Sequence, residues 1–102
     1  MEPDPIIPPN GSVLVVGGSD EVEILLAGEI DMTVRGDLLR AAQLVAAQPA
    51  PSVIVNVAQV TFADSTLLHG LAALRQICAS VGTTVVVRDP APAIARLIAL
   101  RS

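Results

Sequence analysis

"VTFADSTLLHGLAAL", residues 60–74, decides the fold, because two structural periods meet inside it. Its first residues continue an apolar, branched run that reads as a strand. From Leu67 onward the apolar residues recur at 67, 71, 74 and 78, which is helical spacing, and Leu68 and Ile77 widen the stripe. Between the two periods stand a carboxylate and a hydroxyl, Asp64 and Ser65. Either can cap the helix, whose first-turn amides need acceptors. A hydroxyl at a helix start is also a place where phosphate is tolerated, since free amides and the helix dipole favour an anion there. Both readings can hold together.

The flanking segments extend the alternation. Upstream, "SVIVNVAQV" (52–60) carries a short apolar run, Val53 to Val57, interrupted by Asn56 and expected as a strand buried on both sides. Downstream, "TTVVV" (83–87) is another strand, and "DPAPAIARLIAL" (89–100) predicts a helix from near Pro92, with Ile94, Leu97 and Ile98 on one side. Toward the N-terminus, "SVLVVG" (12–17), the turn "GSD" (18–20) and "EVEILLAG" (21–28) read as a hairpin, with Gly28 as a tight strand exit. After "GEID", the stripe Val34, Leu38, Ala42, Val45 and Ala46 predicts a helix, with Arg35, Asp37 and Arg40 on other faces. Thr33 is its expected N-cap, Asp31 places negative charge at its positive end, and "QPAP" (48–51) stops it.

The order is strand, strand, helix, strand, helix, strand, helix. This predicts an α/β fold in which a small mixed sheet of about four main strands packs against about three helices. The expected core comprises Val15, Ile24, Leu26, Val53, Ile54, Val55, Val85 and Val87 from the sheet. The helices add Leu38, Val45, Leu71, Leu74, Leu97 and Ile98. The 102 residues fit one domain, expected over 12–102. Residues 1–11, with four prolines, are expected as a loose leading segment that contributes little to stability.

Composition narrows the function classes. A hydrophobic fraction of 52% excludes a chain that is disordered throughout, and with Phe62 as the sole aromatic the core must be aliphatic. Lysine is absent and the net charge is −4, so a nucleic-acid backbone is not the expected partner. No run is long enough to span a bilayer, no secretory signal leads the chain, and Cys78 is single; together these give a cytoplasmic expectation. His69 and Cys78 have no ligand-spaced companions, so no metal is expected. Nor do the glycines form a phosphate-cradling loop, and no cofactor and no catalytic constellation is read. Cys78, on the apolar stripe, reads as a small buried hydrophobe. His69 reads as an exposed helical side chain that could tune docking.

Three segments, in order and spacing, resemble the STAS family and in particular its bacterial anti-sigma factor antagonists. "LAGEID" (26–31) is similar to the family's Gly-Glu-hydrophobic-Asp signature, "VTFADST" (60–66) to the segment leading into its phosphoacceptor, and "GTTVVVRDPAPAIARLIAL" (82–100) to its late strand and helix. The resemblance implies strand order 1-2-3-4, with the first two strands antiparallel. It also implies a regulatory binding protein, not an enzyme. Carried over, Ser65 is the serine phosphorylated by an anti-sigma factor with serine kinase activity, and Thr66 is the secondary candidate. Asp31 and Asp64 belong to the partner-binding surface, and Leu67 and His69 are expected beside it. The unphosphorylated protein would bind the anti-sigma factor and free a sigma factor; a serine phosphatase would restore that state. A homodimer or larger STAS assembly is also open. Where the family commonly has Gly-Leu-Gly, this chain has Leu67-Leu68-His69, which keeps open a second reading, a non-phosphorylated STAS adaptor in a transport or signalling complex.

Overall fold

The computed structural model describes residues 11–18 and 20–99. Its elements follow the expected order: β1 (Ser12–Val16), β2 (Glu21–Ile30), a single 3-10 turn (Met32–Val34), α1 (Arg35–Ala47), β3 (Ser52–Ala63), α2 (Ser65–Ser80), β4 (Thr84–Arg88) and α3 (Pro92–Ala99). The sheet order is β1-β2-β3-β4. β1 pairs antiparallel with β2, as a hairpin requires, while β2–β3 and β3–β4 are parallel and each is bridged by a helix. Of the expected loose segment 1–11, all but Gly11 lies outside the described residues, as do the last residues of the expected domain.

One face of the sheet carries the core. Val22, Ile24 and Leu26 of β2 alternate onto it beside Val53, Val55 and Val57 of β3. α1 adds Ala41, Ala42 and Val45, α2 adds Leu67, Leu71, Leu74 and Cys78, and α3 adds Ile94. The expected Val15, Val85, Val87, Leu38, Leu97 and Ile98 are only half-buried and pack around this cluster. Ile54 is buried as expected, but outside this cluster and on the other face of the sheet, because side chains one residue apart on a strand point to opposite faces. Its neighbours across the ladder, Glu23 and Val86, share that outer face, where Val86, Leu14 and Val16 stay exposed.

β3 runs to Ala63, well past the expected apolar run. It advances seven residues from Asn56 to Ala63 while β2 advances five from Leu25 to Ile30, so two irregularities of pairing fall between them. Asn56, which breaks the apolar run, serves here: its Nδ2 donates to Glu23 Oε2 at 3.0 Å across the ladder and its Oδ1 accepts from the Ala58 amide at 3.0 Å. Gly28, expected to end β2, instead lies inside it with φ 77°, opposite the second irregularity, and the strand continues to Ile30. Thr83 lies just before β4, not in it, and is buried with its hydroxyl donating to the Ala50 carbonyl at 2.7 Å.

Cys78 is fully buried, and that burial pushes its thiol pKa up, so the nucleophilic thiolate is scarce as well as shielded. The native domain is therefore expected to resist iodoacetamide at neutral pH, and the unfolded chain to react at once. Rapid native labelling, read by mass spectrometry, would place Cys78 on an accessible surface instead.

Candidate functional site

The last register pair of β2 and β3 is Ile30 with Ala63, so the two parallel strands end level. An aspartate follows each one, and the amide of Asp64 donates to the Ile30 carbonyl at 3.2 Å, tying the junctions together. Each aspartate then turns its chain into a helix in the same way. Asp31 Oδ1 accepts from the Thr33 amide at 3.0 Å, and Asp64 Oδ1 accepts from the Thr66 amide at 2.8 Å. Asp31-Met32-Thr33 and Asp64-Ser65-Thr66 are thus one local design used twice, side by side.

This geometry resolves the cap. Asp64, not Ser65, is the N-cap of α2, which leaves the Ser65 hydroxyl exposed on the first helical residue. At the other junction Thr33 is not the cap expected for it: Asp31 caps the 3-10 turn, Thr33 donates to Asp31 through both hydroxyl and amide, and α1 starts behind it without a side-chain cap. Those two bonds, the hydroxyl's first, hold the Asp31 carboxyl below the ordinary aspartate range.

The remaining candidates divide by the helical period. His69 is exposed on the same end of α2 as Ser65. Thr66 is only 8% exposed. Leu67 is a correction: expected beside the docking surface, it is completely buried, packed near Ile24, Leu38, Val55 and Leu71 under the helix. The glycine-to-leucine departure at 67 therefore adds to the core, whereas the departure at 69 alters the surface.

Between α1 and α2 lies a groove of about 470 Å³ with Ser65 in its lining. Its polar lining is Arg35, Ser65, Thr66 and His69. Its apolar lining comes from Met32, Leu38, Leu39, Ala42 and Ala73, with Gly70 between the helices. Gly70 permits their close approach, since a Cβ there would stand 2.9 Å from Leu38 Cδ1. Met32 and Arg35 were not singled out from the sequence as site residues; the repeated Asp-x-Thr at 31–33 and 64–66 pairs Met32 with Ser65, while nothing in the pattern marks Arg35. Among the described residues no cluster of three or more His, Cys, Asp or Glu could hold a metal, and no helix is long and apolar enough to cross a membrane.

A family model described as "Mlab, STAS domain" matches residues 14–101. The crystal structure of an anti-sigma factor antagonist from Mycobacterium paratuberculosis is 30% identical to the chain, with TM-score 0.75 over 92% of this chain and 80% of that one. The anti-sigma factor antagonist SpoIIAA in its unphosphorylated form superposes with TM-score 0.79 at 15% identity, over 88% of this chain and 80% of that one. The Bacillus cell fate determinant SpoIIAA in its phosphorylated form does so with TM-score 0.66 at 19% identity, over 89% and 84%. At those two identities the likeness is one of fold. Among curated proteins, no sequence matches the chain significantly.

Proposed function

Because the chain belongs to the STAS domain family, as the match over residues 14–101 establishes, we propose that it is a cytoplasmic anti-sigma factor antagonist controlled by phosphorylation of Ser65. The observation that carries the reading is the exposed Ser65 hydroxyl on the first residue of α2, directly after a capping aspartate. In its unmodified state the protein docks an anti-sigma factor with serine kinase activity through the surface around Asp31, Asp64, Ser65 and His69, and a sigma factor is released. Phosphate on Ser65 adds about −1.5 to −2 charges beside Asp64. The helix N-terminus tolerates that charge, so the fold survives while the docking surface gains negative charge and bulk. A serine phosphatase reverses the change. Ser65 is the acceptor ahead of Thr66, whose side chain is nearly covered.

The test is to incubate the purified protein with candidate kinases from its source and ATP, and to map phosphate by mass spectrometry. Ser65→Ala is expected to abolish the principal modification, and Ser65→Asp to weaken docking by roughly tenfold or more, an order set by charge-pair effects at interfaces. Since Asp64 holds the cap, Ser65→Ala leaves the helix start intact, and circular dichroism should be unchanged. The second reading, a constitutive STAS adaptor, is motivated by His69, which places bulk beside Ser65 where the family commonly has glycine. A partner that binds tightly while leaving Ser65 and Thr66 unmodified would make that reading the better one.

A further inference from the structure

Among the described residues sulfur occurs at Met32 and Cys78, and the two stand in opposite surroundings. Cys78 is completely buried and its thiol pKa is pushed up by that burial, which shields it from oxidants. Met32 is 72% exposed, the most open of the large apolar side chains described. It follows the capping Asp31 as Ser65 follows the capping Asp64, and both line the groove between α1 and α2. We propose that Met32 is a site of reversible oxidation by hydroperoxides, and that its sulfoxide weakens docking at the surface that holds Ser65. The site itself stands without the phosphorylation reading; its consequence for docking rests on that reading.

A thioether needs no deprotonation to react, so access decides which sulfur is oxidised. Its lone pair attacks one peroxide oxygen: an S–O bond forms and the O–O bond breaks. The departing hydroxide takes up the remaining proton and leaves as water. Sulfur is oxidised by two electrons, the peroxide is reduced, and a thiol-dependent sulfoxide reductase reverses the change. Its place in the groove gives the change an effect. Leu39, 44% exposed, joins Leu38, Ala42 and Ala73 in the apolar part of the same lining. Exposed apolar side chains gathered on one groove, unlike those scattered singly, mark a contact surface. A flexible thioether suits such a contact, whereas a sulfoxide oxygen must lose its water to be buried there. The turn around Met32 is held by the Asp31 carboxylate and the Thr33 amide. Oxidation therefore changes the surface and leaves the fold.

The experiment treats the full chain with dilute hydrogen peroxide, followed by peptide mass spectrometry and methyl NMR. The expected result is one oxygen gained at Met32, at a rate close to that of free methionine, with Cys78 unchanged. Met1, outside the described residues, is scored on its own peptide. Methyl shifts should be confined to Leu38, Leu39, Ala42 and Ala73, with Val53 and Val57 of the core unmoved. A peptide methionine sulfoxide reductase with dithiothreitol should restore the spectrum. The second readout is the rate at which a kinase that modifies the reduced protein phosphorylates Ser65. Oxidation, or Met32→Gln without oxidant, should slow it roughly tenfold, the order of a lost interface anchor. Met32→Leu, apolar but without sulfur, should keep the rate with and without peroxide. Oxidation no faster at Met32 than at Cys78, shifts spread through the core, or an unchanged rate after full oxidation would overturn the proposal. Should no kinase modify Ser65, the phosphorylation reading falls, and selective oxidation with groove-confined shifts still decides for or against Met32.

Discussion

Replacing Leu67 with alanine is expected to destabilise the domain by about 2–5 kcal/mol, the cost of removing a large aliphatic side chain from a packed core. Leu67 is completely buried and stands one turn ahead of Leu71 on the face of α2 that meets the sheet. Small domains hold only about 5–15 kcal/mol in total, so the variant sits near the edge of folding. At about 4–8 °C per kcal/mol for a chain of this size, the melting temperature should fall by about 8 °C or more. His69→Ala, two residues on and exposed, should change stability by no more than about 0.5 kcal/mol. Thermal denaturation of the two variants side by side checks the pair. Equal, small losses would mean that α2 presents Leu67 to solvent, and the packing of this helix would have to be redrawn.

That contrast also marks what was legible in the sequence. The alternation at Val22, Ile24 and Leu26 and the spacing of Leu67, Leu71, Leu74 and Cys78 place elements and core faces, because both periods are imposed by backbone geometry. Leu67 stands on that same stripe, although the expected core named only Leu71 and Leu74 from this helix. Its expected place beside the docking surface came from substitution for a family glycine, and burial overrode that proximity. Ile54 is buried as expected, but an apolar run without alternation does not say which of its members face the helices. The choice between Asp64 and Ser65 as cap depends on which oxygen reaches the Thr66 amide, and that is a matter of dihedral angles, not residue type. The groove was not legible at all. Arg35 and Thr66 lie thirty-one positions apart in the chain, and they share a cavity only because β2 and β3 end level and Gly70 lets the two helices close up.

That levelling underlies the second large prediction. Gly28→Val is expected to cost about 1–3 kcal/mol, the usual range for a residue held in an unfavourable backbone region. At φ 77° a β-branched side chain is strained wherever it points, and Gly28 lies where β3 carries an extra residue relative to β2. Relieving the strain means straightening β2, which would carry Ile30 out of register with Ala63. The hydrogen bond from the Asp64 amide to the Ile30 carbonyl is then the first tertiary contact at the site to be lost. Two readouts follow: a lower melting temperature, and faster hydrogen exchange at the Asp64 amide than at amides in the middle of α2. A drop in melting temperature with Asp64 still protected would mean that the strain is absorbed locally and that the bulge serves the sheet alone. Faster exchange at Asp64 would instead make Gly28 a positioning residue. It would set where the paired aspartates stand, and with them the exposed Ser65 hydroxyl and the mouth of the groove, from within a strand that touches neither.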